Sequence, residues 1–291
     1  MGVLSNTRTN MVIRPPARRR ISLLTALLYV GLSIGAVLMI SPFLFMVLAS
    51  FKTGQEIVQV PPTLWPVHPT LDNYRQVLGG IPFGTFYRNS IIVSTTVTLS
   101  VLLTSSLAGY IFAKFRFMGC NLLFVVVITT LMIPFQVILI PVYMVVNAVG
   151  LLNTLWALIL PAMVSPFGIY LMRQYIENLP NDYIDAARID GTSEWGIYLR
   201  VVLPHTRPAL SALAIFTFVG SWNDYLWPLI AINDQNKMTI PLALSYFNSA
   251  HATRYDLTLT AATLVVVPAV LVFLALQRQF VQGIALTGLK G

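Results

Sequence analysis

Long apolar runs separated by short charged segments leave this sequence very few folds to choose from. Runs near residues 22–51, 89–113, 121–146, 155–173, 208–232 and 257–277 come close to or exceed the roughly 20 residues that a helix needs to cross a bilayer. Without water, every backbone N–H and C=O must be paired inside its own segment or in a closed barrel, and unbroken apolar runs of this length indicate helices. The 291 residues are 56% hydrophobic and only 10% charged, against roughly 25% charged in an average soluble domain. An all-α integral membrane protein with six transmembrane helices follows. The first run is preceded by Arg14, Arg18, Arg19 and Arg20, as in a signal peptide, yet it extends from Ile21 to about Phe51. A cleavable apolar region spans roughly 7 to 15 residues, so this run is expected to remain as the first span.

Six spans put both termini on one side, and the basic residues choose the side. With the N-terminus inside, thirteen Lys and Arg face the cytoplasm: Arg8, Arg14, Arg18, Arg19, Arg20, Lys114, Arg116, Arg173, Arg188, Arg200, Arg207, Arg278 and Lys290. Five remain outside, namely Lys52, Arg75, Arg88, Lys237 and Arg254. The positive-inside rule selects this orientation. Residues 1–20 are then a cytoplasmic arm, 21–279 a single six-helix membrane domain, and 280–291 a cytoplasmic tail. The net charge of +8 is spent on topology; no basic stripe interleaved with aromatics suggests nucleic acid. One cysteine, Cys120, excludes an internal disulfide framework and a multi-thiolate metal site. Outside, "VPPTLWPVHPT" (60–70) is stiffened by proline, which fixes its own φ and biases its predecessor to extended geometry. A rigid docking surface and a merely compact loop fit it equally.

Five of the ten acids, Glu177, Asp182, Asp185, Asp190 and Glu194, crowd into a loop at about 177–206. Threading it through the bilayer would cost at least about 2.5–3.5 kcal/mol per central charge. It is therefore assigned to the cytoplasm. Pro180 opens a short helix, Asn181 and Asp182 offer cap oxygens, and Gly191 is placed to stop it. Thr192 or Ser193 then caps a second helix carrying Trp195, Tyr198, Leu199 and Val202 at helical spacing, ended by Leu203 and Pro204. In the first helix Ala186 and Ala187 keep one surface small for a partner backbone, with Asp185 and Arg188 beside it. An amphipathic loop that only solvates the bundle explains the same pattern.

The segment "YIDAARIDGTSEWGIYLRVVLP" (183–204) resembles the EAA loop of permease subunits of binding-protein-dependent ABC importers, with Ala186, Ala187, Gly191, Leu203 and Pro204 matching in spacing and position. Asp185 departs from the family's usual Glu. "SPFLFMVLASFKT" (41–53), "NSIIVSTTVTLSVLLTSSLAGYIFAKF" (89–115), "SWNDYLWPL" (221–229) and "FVQGIALTGLKG" (280–291) resemble the carbohydrate, maltose-type branch. The resemblance implies a type I ABC importer permease fold in a prokaryotic plasma (inner) membrane. It also implies an ATPase-coupling helix containing Asp185, Ala186, Ala187, Arg188, Asp190 and Gly191, with Leu203 and Pro204 beyond it. The implied partners are a second permease subunit in a heterodimer, two ATPase subunits that hold ATP and Mg, an extracytoplasmic solute-binding protein, and a sugar substrate. The chain has no GxxxxGK[ST] phosphate loop, so no cofactor is assigned to it and it is not expected to be an enzyme itself.

Asp224 is the one acid well inside an expected span, and an intramembrane ionisable group is a functional hypothesis by default. With Trp222, Asn223, Tyr225 and Trp227 it forms a candidate pathway or gate; a proton-coupled carrier using Asp224 is the alternative reading. A local cap by Asp224 and an interfacial belt of tryptophans fit equally. Prolines 134, 141, 161, 166, 228 and 268 are expected to interrupt the spans, freeing carbonyls that line a wet path or find other partners. Gly283, Gly288 and Lys290 in the tail are a possible further contact with the ATPase. His68, His205 and His251 are isolated, and no HExxH or GxSxG motif occurs.

Overall fold

The computed structural model describes the backbone of residues 23–80, 82–250 and 254–287, and the side chains among these up to 245 and from 254 to 277. The arm 1–20 and the tail residues Gly288 and Lys290 lie outside the described residues; Gly283 falls in the backbone of the last helix. Among the described residues the regular structure is entirely helical. Two compact units divide the chain, residues 1–45 and 46–291. The first contains most of α1 (Leu23–Ala49), an apolar helix that keeps Pro42 inside it and exposes Leu27, Val30, Ile34 and Val37.

The second unit is built around α4 (Phe83–Lys114). Its 32 residues span about 48 Å at 1.5 Å each, longer than the hydrocarbon core, so both ends project from it. Without a hydrophobic drive between helices in lipid, close packing of small residues holds them together. α4 supplies Ser90, Ser94, Ser105, Ser106 and Gly109 on its buried face. α8 (Pro166–Glu177) answers with Gly168 and Met172. A Cβ on Gly109 would stand 2.7 Å from Met172 Cβ and 2.9 Å from the Arg173 backbone nitrogen, and one on Gly168 would collide with Ser105 Oγ. The two helices therefore touch backbone to side chain with no spare volume.

Four helical stretches, Leu23–Ala49, Phe83–Lys114, Leu155–Glu177 and Tyr255–Gln277, are long and apolar enough to cross a membrane. The third and fifth expected spans are each broken. α5 (Cys120–Thr130) and α6 (Phe135–Ala148) meet at 102° just before and at Pro134. α12 (Arg207–Trp222) stops at Asn223 and the chain resumes as α13 (Leu226–Ala231). Between α8 and α12 come the loop helices α9 (Asn181–Ile189), α10 (Glu194–Ile197) and α11 (Leu203–His205). The remaining elements are α2 (Gly54–Ile57), α3 (Asp72–Gly80), α7 (Leu155–Ile159), α14 (Ile240–Ala250) and α15 (Tyr255–Thr287).

Proline placement corrects one expectation. Pro134, Pro161 and Pro166 stand at helix starts and Pro228 lies in the first turn of α13, where no N–H is needed and the fixed φ is already helical. Pro141 and Pro268, expected to interrupt, lie inside continuous α6 and α15. Helix neighbours and local adjustment tolerate such prolines in membrane helices.

Polar knots mark the two ends of the bundle. At one end Lys114 Nζ donates to Leu179 O (2.7 Å) and Asn181 Oδ1 (2.8 Å). At the other, Asn89 Nδ2 donates to the carbonyls of Asn236 (2.8 Å) and Met238 (3.0 Å), while Asn153 N–H reaches Ala231 O (2.8 Å) and its Oδ1 accepts from Asp234 N–H (2.8 Å). Near α2, the carboxylate of Glu56 accepts from Val67 N–H (2.8 Å) and Thr63 Oγ1 (3.1 Å), and Lys52 Nζ binds Thr63 O and Oγ1. The Val67 N–H chiefly holds this carboxyl below the ordinary carboxylate range. Segment 60–70 is thus pinned from beneath, with Val60, Leu64 and Trp65 exposed.

Candidate functional site

The acidic loop folds as a helix, a tight turn and a second helix. α9 ends in a Schellman motif: Thr192 N–H bonds Ala187 O (3.0 Å), Gly191 N–H bonds Arg188 O (3.0 Å), and Gly191 sits at φ +77°. Gly191 was expected to stop this helix, and it does so by adopting the left-handed backbone that side chains disfavour. The start differs from expectation. No side chain caps α9, because Pro180, which has no side-chain acceptor, stands at the N-cap; the Asn181 oxygen accepts from Lys114 instead. Ser193 caps α10 through Gly196 N–H (3.3 Å).

Pro204 does not end the second helix. Tyr198–Val202 form a π-helical turn and α11 continues to His205. Proline withholds an N–H that an α-helical continuation would use, and a widened turn upstream absorbs the mismatch. His205 Nδ1 lies 2.6 Å from Val201 O and its ring stacks on Tyr183.

The two alanines part company. Ala186 is exposed, whereas Ala187 is half-buried and packs on the core beside buried Ile184. The small outward surface is therefore Ala186 together with Ile189, which is 86% exposed. Asp185 and Asp190 are exposed at its edges.

Arg188 turns inward along the loop. Its Nε donates to Glu194 Oε1 at 2.8 Å and NH1 reaches Asp185 at 3.3 Å; Tyr110 OH on α4 donates to Glu194 Oε2 at 3.0 Å. Ser106 and Tyr198 join their hydroxyls at 2.7 Å. The loop is tied to α4 through these two hydroxyl contacts and through Lys114, which holds Leu179 O and Asn181 Oδ1, while Arg188 links α9 to Glu194 within the loop. The Arg188 hydrogen bond holds the Glu194 carboxyl below the ordinary carboxylate range, against the opposing effect of desolvation. The sequence marks Glu194 only as one of the clustered acids and does not pair it with Tyr110, since residues 84 apart in the chain carry no shared pattern.

The second candidate group surrounds the α12–α13 break. Asp224 Oδ1 accepts a long bond from Trp227 N–H (3.5 Å) in the first turn of the restarting helix, and makes no hydrogen bond to Asn223. Asp224 and Trp227 line a cavity of about 460 Å³ with Val97, Ser165, Thr217 and Gly220. Trp222 is 1% exposed, bonds Val265 O through Nε1 (2.9 Å) and packs edge-on to Tyr87. Trp227 is 3% exposed and bonds Ala157 O (2.9 Å). Neither indole forms an interfacial belt, and neither offers a free face at the surface. Asn223 and Tyr225 are exposed and outside that wall.

Residues 105–286 match the family of binding-protein-dependent transport system inner membrane components. The chain belongs to that family. The EAA loop resemblance is thereby placed in its family context, and the chain is a permease subunit of an ABC importer. The permease is 36% identical over 278 residues to the arabinooligosaccharides transport system permease protein AraQ of Halalkalibacterium halodurans, covering 94% of this chain and 99% of that one. Against the lactose transport system permease protein LacG of Rhizobium radiobacter it is 36% identical over 255 residues, 88% and 93% of the two chains. With the sn-glycerol-3-phosphate transport system permease protein UgpE of Pectobacterium atrosepticum it shares 33% over 264 residues, 88% and 94%. Its fold matches a chain of a bacterial ABC transporter involved in import of the acidic polysaccharide alginate, with TM-score 0.78 at 22% identity, over 92% of this chain and 100% of that chain. The type I importer fold expected from the sequence is the fold found. Neither family nor relatives support gradient-driven carriage through Asp224.

Proposed function

We propose that this permease forms half of the pathway of an importer for a sugar or oligosaccharide, with a second permease subunit, and that α9 docks on a cytoplasmic ATPase. One observation carries the docking: α9 presents Ala186 and Ile189 outward, stops at a left-handed Gly191, and is wired to the pathway helix α4 through Arg188, Glu194 and Tyr110. Motion of a partner against that surface therefore reaches the bundle by direct contact. ATP and Mg belong to the ATPase subunits in this reading, and an extracytoplasmic solute-binding protein meets the pinned apolar rim at Val60, Leu64 and Trp65. Both termini and the loop face the cytoplasm. The cavity beside Asp224 falls in the range of about 300–1,000 Å³ typical of ligand sites, and similarity to permeases of arabinooligosaccharide and lactose transport systems supports a carbohydrate as cargo.

Co-purification tests the reading. A tagged chain solubilised mildly from native membranes should bring a second permease and a P-loop ATPase, and Ala186→Trp should lose the ATPase while keeping the permease. A chain that purifies alone and drives uptake in liposomes from a pH gradient would overturn it.

A further inference from the structure

Beyond the coupling loop, at the same end of the bundle, the turn after α4 and the start of α5 enclose a polar cavity of about 390 Å³. Arg116, Asn121, Arg173 and Glu177 line it, together with Phe117 and Gly119. Two guanidinium groups face one carboxylate, so the cavity carries net positive charge. Arg173 lies with its Cζ 3.8 Å from the centroid of buried Phe124, and its Nε is buried with no hydrogen-bond partner among the described residues. Stacking on a ring fixes a guanidinium plane yet leaves its N–H groups free, and a buried donor left without an acceptor is costly. Arg116 makes no ion pair among the described residues. α5 also begins here without a side-chain cap, which adds first-turn N–H groups and a favourable dipole for an anion.

The surface leading away from the cavity is apolar. Leu122, Val125 and Val126 on α5 are exposed, as are Phe117 and Met118 in the turn. In a family of membrane components such a face lies against acyl chains, which places the cavity at the depth of headgroups. We propose that this cavity binds the phosphate of a membrane phospholipid, with Arg173 and Arg116 as its charged donors and the outer face of α5 as the seat of its chains. Planar, multidentate arginine suits a phosphate better than a point charge does, and basic pockets between membrane helices are suited to anionic headgroups. A free phosphate would use the same arginines but gain nothing from the apolar face.

Native mass spectrometry of the delipidated full chain with its co-purifying subunits separates these sources. Titrated with phosphatidylglycerol, the wild type should retain a lipid that Arg173→Gln and Arg116→Gln each weaken about tenfold. Diacylglycerol with the same chains should bind about as weakly as phosphatidylglycerol binds the variants, and millimolar inorganic phosphate should not displace the lipid. Arg116 is exposed, so its variant keeps the test valid if Arg173→Gln destabilises the fold. Equal retention of both lipids, no loss in either variant, or displacement by inorganic phosphate would overturn the proposal.

Discussion

At the residue scale, Gly191 and Glu194 carry most of the coupling argument, for different reasons. A Cβ at Gly191 would meet nothing within 4 Å, so only its φ of +77° forbids a side chain. A β-branched residue suffers most in that region. Gly191→Val should therefore uncouple ATP hydrolysis from uptake at normal expression, whereas Gly191→Asn, which tolerates left-handed backbone, should retain much of the coupling; wild-type uptake by the valine variant would sink this account. Gly191 was legible from the sequence because a helix stop leaves a local signature. Glu194 was legible as one of the clustered acids, but its link to α4 was not, because its partner Tyr110 comes from another helix. Glu194→Gln removes the negative charge that accepts from Arg188 while keeping the shape, and the exposed pair is worth about 1 kcal/mol or less. The expected signature is thus a change in the ratio of uptake to ATP hydrolysis, with thermal stability nearly unchanged; a variant with an unaltered ratio would show that the link to α4 is idle. Because the folded carboxyl titrates below its ordinary value near 4.5, the stability it contributes is fully present above pH 4.5 and is lost as pH falls through the lower folded value. Acid unfolding of the Glu194→Gln variant should accordingly lack that component, as a pH series of melting curves would reveal.

At the scale of elements, the apolar helical stretches could be read from composition and their internal breaks could not. Apolar length alone marked residues 121–146 and 208–232 as spans, yet both are bent or restarted, at Pro134 and at Asn223–Tyr225. Hydropathy averages over a window and is blind to a few residues that lose helical pairing. Proline misled in the other direction, since Pro141 and Pro268 rest inside intact helices and Pro204 is absorbed by a π turn. Of the two readings open for the tryptophans, the interfacial belt fails, because aromatic content alone does not tell a belt from a buried anchor; what decides is that the Trp222 and Trp227 N–H groups find the carbonyls of Val265 and Ala157. The α4–α8 seam yields its own test. Gly109→Leu puts a branched side chain where even a Cβ would stand 2.7 Å from Met172 Cβ, and overpacking of a close contact costs typically about 1–3 kcal/mol. Yield and melting temperature in detergent should both fall, and a paired Met172→Ala should recover only part of the loss because Arg173 backbone also blocks the site. Unchanged stability of Gly109→Leu would mean the seam is looser than its geometry implies.

At the scale of the whole molecule, the bent pair α5–α6 decides the topology. A bend of 102° suits a broken span and a re-entrant loop alike, and the two give opposite sides to everything that follows. The end knots choose between them. α4 starts at the end where Asn89 holds the backbone of 236–238, and it finishes at the end where Lys114 holds Leu179 and Asn181. The chain must next reappear at Asn153, which is bound to Ala231 and Asp234 at the Asn89 end. So α5 and α6 carry it back across the bundle, bend included, and α7 with α8 return it. Three crossings then separate Trp65 from Ile189, an odd number, so the two residues are expected on opposite sides of the membrane. Both are well exposed, at 69% and 86%, and the only native thiol is Cys120. With Cys120 replaced by Ser and the ATPase not expressed, Trp65→Cys should react with a membrane-impermeant maleimide in intact cells. Ile189→Cys should react only after permeabilisation. Labelling of both from the same side would make α5–α6 re-entrant and would remove α9 from the cytoplasm or the 60–70 segment from the exterior.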